Sequence, residues 1–381
     1  MHKYSNKKYK NKHGFFFKIG WFICLCLVSA LLSRYILVGI NDMLAIGKSS
    51  ETVLVEIPEG ASLSTIANIL NEKGLISEKG FFKLYVKIMK SKNKFSSGSF
   101  EMQKNMDYQS ILNHLQSNKN VKNVAEVTFT EGMNILEYSE LLEKNNICSK
   151  DEFLKACNSD AIREKYDFLK DIKNSSSRLY LLEGYLFPDT YKFYQGEKIS
   201  QIIDKLIANY KKKVLSPTQI EGYTEKTSIK DLADKKGWSV DYLLTIASLI
   251  QAEAANKEDM YKVSSVISNR LATIENNGKS KFGEYNLNKL QLDATNYYPY
   301  RTKEAMKEKG GKSRGKNAAN YDTYKIIGLP PGPICNPGTD AIMAALNPAQ
   351  TDYFYYVHSQ SGEAYYSKTN SEHLENVRNT D

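Results

Sequence analysis

The chain has 381 residues, 41% hydrophobic and 25% charged, an ordinary globular composition with room for two or three domains. A net charge of +9 would suit a nucleic-acid partner if it were spread over the chain, but seven of the 52 basic residues lie in the first 34 positions, which hold no acid. From Tyr35 onward 45 basic residues face 43 acidic ones, so the asymmetry belongs to a short tail and no nucleic-acid partner is expected.

Residues 19–33, IGWFICLCLVSALLS, carry no charge. With FFF before them and YILVGI after, the apolar stretch runs from Phe15 to Ile40. About 20 apolar residues cross a bilayer as a helix, and Lys18 and Arg34 can snorkel at its ends. A transmembrane helix is therefore expected at 19–40. Lys3, Lys7, Lys8, Lys10, Lys12 and Lys18 make residues 1–18 a cytoplasmic tail by the positive-inside rule. The rest of the chain is then extracytoplasmic, anchored to the cell membrane by one span. A cleaved signal peptide with a Val28-Ser29-Ala30 exit is the alternative, disfavoured because the apolar stretch continues beyond it. Cys24 and Cys26 fall in this segment. Cys148, Cys157 and Cys335 are too few for a disulfide framework, although a Cys148–Cys157 bridge stays open. No CxxC or HExxH is present, and neither metal nor cofactor is expected.

Residues 53–157 repeat themselves. VEIPEGASLSTIANILNEKGLISEKGFFK starts at Val55 and VTFTEGMNILEYSELLEKNNICSKDEFLK at Val127, a constant offset of 72 without gaps. Each copy reads as a strand, a turn at Glu-Gly, an amphipathic helix and a second helix. FSSGSFEM, between the copies, is a strand candidate and YQSILNHLQSN a helix. These small α+β units are LysM-like; they would bind a sugar polymer or serve as a spacer above the membrane. Residues 180–381 read as one mixed α/β domain. Helices are expected near 199–212, 239–254, 258–272, 339–346 and 371–378. A hairpin is expected from DYFYYVHS and GEAYYSK. Residues 303–320, charged and Gly-rich, read as a loop.

IASLIQAEAA, at 246–255, carries the chemistry. Ser239 is a fitting N-cap. Leu243, Ile246, Ala247, Ile250 and then Glu253 fall on one stripe, whereas Gln251 points elsewhere. A carboxyl at the lip of a core resists ionisation and can serve as a general acid. The plainer reading is a stripe-edge Glu paired with a cation such as Arg270. Tyr180, Tyr185, Phe187, Tyr191, Tyr297, Tyr298, Tyr300, Tyr321 and Tyr324 surround polar turns and offer faces for sugar rings, though many belong in a core.

LEGYLFPDTY, ASLIQAEA, NRL, LQLDAT, YDTY, GLPPGPICNPG and the YFYYV…EH pattern follow one another from residue 182 to His373. In that order the chain resembles the endolytic murein transglycosylase G family, the YceG-like proteins. The resemblance implies a lytic transglycosylase that cuts nascent peptidoglycan between N-acetylmuramic acid and N-acetylglucosamine. Glu253 matches the family's catalytic Glu and would protonate the leaving oxygen. It would then take the proton of the muramyl C6 hydroxyl as a 1,6-anhydro ring closes, without water. Gln291, Asp293, Thr295, Tyr321, Asp322, Thr323 and Tyr324 would hold the sugars. Glu183 is a second acidic candidate, open to the reading that it and Asp189 satisfy backbone donors in a turn. Peptidoglycan synthases are the implied partners. Gln251, Ala294 and Asp322 stand where the family usually has Glu, Pro and Asn. The reading from a different class is a catalytically silent scaffold that binds glycan, with Glu253 salt-bridged at the surface. A hydrolytic muramidase would need a second carboxylate.

Overall fold

The computed structural model describes residues 12–89, 95–117, 121–122, 124–170, 172, 175–310 and 317–380. Helices and strands are mixed throughout, as an α+β fold requires. Two compact units meet between Val124 and Ala125.

The first unit opens with α1 (Lys12–Met43), of which Phe17–Met43 is long and apolar enough to cross a membrane. The lysines at 3, 7, 8 and 10, on which the expected orientation rests, lie outside the described residues. After α1 come β1 (Thr52–Ile57), α2 (Leu63–Glu72), α3 (Lys79–Ile88), β2 (Gly98–Gln103), α4 (Tyr108–Gln116) and β3 (Val121–Lys122). The strands form one antiparallel sheet in the order β1-β2-β3, with Val55 opposite Phe100. Val55 and Ile57 point inward and Glu56 outward, the alternation of a half-covered strand. Their core is closed by Ile66 and Leu70 of α2, Phe82 and Val86 of α3, and Ile111 and Leu115 of α4.

The second unit continues with β4 (Val124–Thr128), α5 (Ile135–Lys144), α6 (Lys150–Ala156), α7 (Asp160–Lys165), α8 (Asp167–Lys170), β5 (Thr190–Tyr194) and α9 (Ile199–Tyr210). Then follow α10 (Ile229–Lys235), α11 (Val240–Glu253), α12 (Lys257–Ala272), α13 (Lys303–Gly310) and α14 (Thr339–Leu346). The chain closes with β6 (Tyr355–His358), β7 (Ala364–Ser367) and α15 (Asn370–Thr380). The repeat survives in detail: α2 and α5 begin and end 72 positions apart. Their caps do too, Ser62 accepting from the Thr65 N–H and Asn134 from the Glu137 N–H.

The copies differ in what they pair with. β1 pairs with β2, but β4 pairs with β5, some 60 residues further on. Phe129, Ile135, Tyr138 and Leu142 of the second copy therefore share a core with Leu182, Phe193, Ile202 and Leu206. The expected repeated region 53–157 is split at this point, because the second copy's apolar face is buried by the unit that carries the remaining motifs. One further difference is local. Residues 303–310, expected as loop, form α13 from good helix formers, KEAMKEKG. Cys148 and Cys157 are both free thiols.

α11 is buried nearly all round, with Leu244, Thr245, Ser248 and Leu249 covered as well as the expected stripe. α12 and α14 pack against it. LEGY, GLPPGPICNPG and the start of α5 converge beside it through Asn336, which is fully buried. Its Oδ1 accepts from the Gly184 N–H (3.0 Å) and the Leu186 N–H (3.1 Å). Its Nδ2 donates to the Met133 carbonyl (3.1 Å) and to Glu183 Oε1 (3.3 Å). Gly184 has φ +86°, and a Cβ there would sit 2.6 Å from Pro333 Cγ, so only glycine fits. Asn336→Ala strands two buried N–H donors; a loss of about 2–4 kcal/mol in unfolding free energy is expected by denaturant titration, and a loss under about 1 kcal/mol would contradict the hub.

Candidate active site

Ser239 caps α11 by accepting from the Tyr242 N–H at 3.1 Å, and the helix runs 14 residues to Glu253, its last. Ala254 turns to extended backbone, so the Glu253 carboxyl leaves the helix end and is gripped from two sides. The Ala294 N–H donates to Oε1 at 3.0 Å and the Tyr356 hydroxyl donates to Oε2 at 2.9 Å. Burial raises the Glu253 pKa above its ordinary 4.5, and the nearby Asp293 charge adds to this. The Ala294 N–H, the Tyr356 hydroxyl and His358 pull the other way without cancelling it.

Two clefts of about 550 Å³ each share Glu253 and Asp293 as wall residues. One is lined further by Asn134, Tyr297, Tyr298, Tyr300 and Arg301, the other by Arg270, Gln291, Tyr324, Tyr356 and His358. The carboxyl thus stands where the two meet.

The supports of each grip can be traced. Ala294 sits in a tight turn, Asp293–Thr295, that is stitched to 321–324. Thr295 Oγ1 lies 2.9 Å from Thr323 Oγ1, Leu292 N–H donates to Thr323 Oγ1 (2.8 Å), and Gln291 N–H donates to the Thr323 carbonyl (3.2 Å). Tyr356 sits on β6, paired with Tyr366 of β7. The hairpin is fastened to α12 by Asp259, which accepts from His358 Nε2 (2.8 Å), from the Tyr366 hydroxyl and from the Ala255 N–H (2.8 Å). Burial pushes the Asp259 pKa up, but these donors outweigh it and hold the carboxyl below the ordinary carboxylate value. Arg270 is buried and joins β6 to the turn, donating to the carbonyls of Phe354 (2.7 Å) and Leu290 (2.5 Å). It makes those bonds in place of an ion pair with Glu253.

Not every motif residue reaches a cleft. Gln291, Asp293 and Tyr324 line one, with the Tyr324 hydroxyl donating to Asp293 Oδ1 at 2.7 Å. Asp322 is buried, accepting from the Tyr324 N–H (3.1 Å) and from Lys325 Nζ (2.6 Å). Thr295, Thr323 and Tyr321 are fully buried and line neither cleft. The Tyr321 hydroxyl accepts from the Leu179 N–H, and its ring packs 4.6 Å from that of Tyr298. Glu183 is also fully buried: it accepts from the Ile135 N–H (3.1 Å), the Tyr298 hydroxyl (2.8 Å) and Asn336. Burial pushes its pKa up to about 8 against the hydrogen bonds from Tyr298 and Ile135. It serves a turn rather than a cleft wall, and Asp189 likewise accepts from the Thr190 N–H. Of the aromatics, Tyr297, Tyr298, Tyr300 and Tyr324 wall the clefts, whereas Tyr185, Phe187 and Tyr191 belong to the core. Gln251 points away from Glu253 and accepts from the Gly338 N–H (3.0 Å) at the start of α14.

Tyr356, the Ala294 N–H, Asn134, Arg301 and His358 complete the site and were not singled out from the sequence. The signal present for two of them is the period-2 spacing of Tyr356 and His358 on one face of a strand. Among the described residues, no three His, Cys, Asp or Glu side chains gather as metal ligands.

The chain belongs to the YceG-like family, whose sequence pattern matches residues 55–379. The endolytic murein transglycosylase of Bacillus subtilis (strain 168) is 32% identical over 338 positions, covering 85% of this chain and 84% of that protein. The Streptococcus pneumoniae serotype 2 protein of the same name is 28% identical over 393 positions, covering 95% of this chain; the chain spans 64% of its length. The crystal structure of a yceG-like protein from Listeria monocytogenes matches with a TM-score of 0.51 at 28% identity, covering 86% of this chain and 99% of that one.

A raised carboxyl pKa has a sign in stability. The uncharged form is favoured by the fold, so Glu253 contributes fully below about pH 4.5 and that contribution is lost as pH rises through its folded value. Glu253→Gln cannot ionise. Its unfolding free energy should gain on wild type as pH rises above about 4.5, measured by denaturant titration at several pH values; a gap that stays constant with pH would contradict the raised pKa.

Proposed function

We propose that the chain is a membrane-anchored endolytic lytic transglycosylase acting on peptidoglycan, with Glu253 as the only proton-transferring group. The observation that carries this reading is the Glu253 carboxyl, pKa raised, at the junction of two clefts. A cut inside a polymer needs room for sugars on both sides of the scissile bond, and a cleft on each side of Glu253 supplies it. The relatives' names point to the same substrate.

The Ala294 N–H can only donate, so Oε1 stays an acceptor and Oε2 is the oxygen that carries the proton. The Tyr356 hydroxyl, able to donate or accept, suits both states of Oε2. Glu253 gives its proton to the glycosidic oxygen as the bond to muramyl C1 breaks. The resulting carboxylate is held by both donors. It then takes the proton of the C6 hydroxyl of the same muramyl residue as the C1–O6 bond forms. Atoms and charge balance without water. An internal nucleophile needs no second carboxylate and gains from its high effective concentration. Asp293, Gln291 and Tyr324 would contact sugars, with Tyr297, Tyr300 and Arg301 on the other side. Thr295, Tyr321, Asp322, Thr323 and Glu183 would act by holding the turns in place.

On this reading residues 19–40 span the membrane, residues 1–18 are cytoplasmic, and the two LysM-like copies are extracytoplasmic. The anchor favours newly made strands, and synthases that extend them are the expected neighbours. Digestion of peptidoglycan followed by mass spectrometry should yield anhydromuramyl ends, and Glu253→Gln should lower cleavage at least about 10³-fold. Reducing ends would indicate a muramidase, and full activity of Glu253→Gln would remove it from the chemistry.

A further inference from the structure

α1 does not end in a linker. Its last turns are packed into the first unit. Asp42, 5% exposed, accepts from the N–H groups of Ser77 (2.8 Å) and Glu78 (2.9 Å) and from the Tyr108 hydroxyl, and pairs with Lys48 at 2.6 Å. Gly39 lies so close to α3 that a Cβ would sit 2.3 Å from the Phe81 ring. Tyr35 meets the same ring edge-on at 5.9 Å.

The order of these contacts sets a direction. Asp42 touches residues 77–78, whereas Gly39 and Tyr35, earlier in α1, touch Phe81. α3 therefore leads from the end of α1 back along it, toward the apolar span. Arg34, which on the membrane-anchor reading is placed to snorkel at the edge of the hydrocarbon, is one residue from Tyr35. α3 continues roughly 10 Å beyond Phe81 from that level.

What α3 shows along that path is apolar. Phe82 and Val86 are buried in the core. Phe81, Leu84 and Ile88, at i, i+3 and i+7, share a different face. Leu84 is 48% exposed, Ile88 67% and the following Met89 50%. Among the described residues of this unit outside α1, the other exposed large apolar side chains are Val124 at its boundary and Leu44 and Ile46, which follow α1 directly. Lys83 and Lys87 flank the Leu84–Ile88 stripe. An exposed apolar stripe edged by lysines, continuous with a membrane helix, fits an interface with anionic lipid.

We propose that α3 is a membrane-contact helix: Leu84 and Ile88 enter the headgroup boundary beside α1, with Lys83 and Lys87 against lipid phosphates. This rests on the membrane-anchor reading above. The rigid joint then fixes the height and tilt of the first unit on the bilayer.

The test uses the full chain with Trp238→Phe and with alanine at Cys24, Cys26 and Cys148. A single cysteine is introduced as Leu84→Cys, Ile88→Cys or Glu59→Cys and labelled with an environment-sensitive fluorophore. Glu59 is the control, because α2 separates its turn from the Asn71–Ser77 segment that meets Asp42. The protein is reconstituted in vesicles of phosphatidylcholine and phosphatidylglycerol, with or without bromine on the acyl chains. Emission at 84 and 88 should shift to the blue and be quenched by brominated lipid, as Trp21 is, while the label at 59 stays unquenched. Lys83→Glu with Lys87→Glu should reduce quenching at both sites. Labels at 84 and 88 that match 59 while Trp21 is quenched would overturn the contact and leave the anchor intact. An unquenched Trp21 would overturn the anchor and the contact with it.

Discussion

The site depends on one grip: a carboxyl at the end of a buried helix, held by a backbone N–H from one segment and a tyrosine hydroxyl from another. Neither donor is positioned by α11 itself. Ala294 is placed by the Thr295–Thr323 stitch, and Tyr356 by a hairpin that Asp259 and Arg270 fasten to α12 and the turn. Residues buried behind the cleft walls, Thr295, Thr323 and Asp259, therefore decide where the proton sits. This is why so many polar motif residues are buried: in a low-dielectric surrounding they must pair with one another, and the pairing fixes the geometry.

Burial and hydrogen bonding oppose each other at Glu253, and burial prevails. That balance suits a group that must give a proton and then accept one, since burial disfavours the charged form while the two donors hold it once it forms. The two clefts that meet at the carboxyl suit an extended polymer better than a small molecule. In the proposed reaction a single acid–base residue suffices because the substrate carries its own nucleophile.

Much of this was legible from the sequence. The helix to Glu253 and the turn of Gln251 away from it follow from a 3.6-residue period, and the Ser239 cap from its residue type. The 72-residue repeat predicted matching helices at 63–72 and 135–144. What was not legible is which partner a strand chooses: β4 pairs with a strand some 60 residues away, and no local pattern encodes that. Nor does a polar residue type reveal which way its side chain faces. Thr295, Tyr321 and Thr323 read as sugar contacts and are buried stitches. Tyr356 was hidden among the tyrosines of a strand, where alternation alone could not say which face meets α11.

The central claim is that Glu253 holds a proton more tightly than an ordinary glutamate. It is tested most directly by following the side-chain carboxyl carbon resonances of ¹³C-labelled protein against pH, with Glu253 assigned by its disappearance in Glu253→Gln. The account predicts a midpoint clearly above 4.5. A midpoint at or below 4.5 would show that the two hydrogen bonds outweigh burial, and the carboxyl could not serve as the acid.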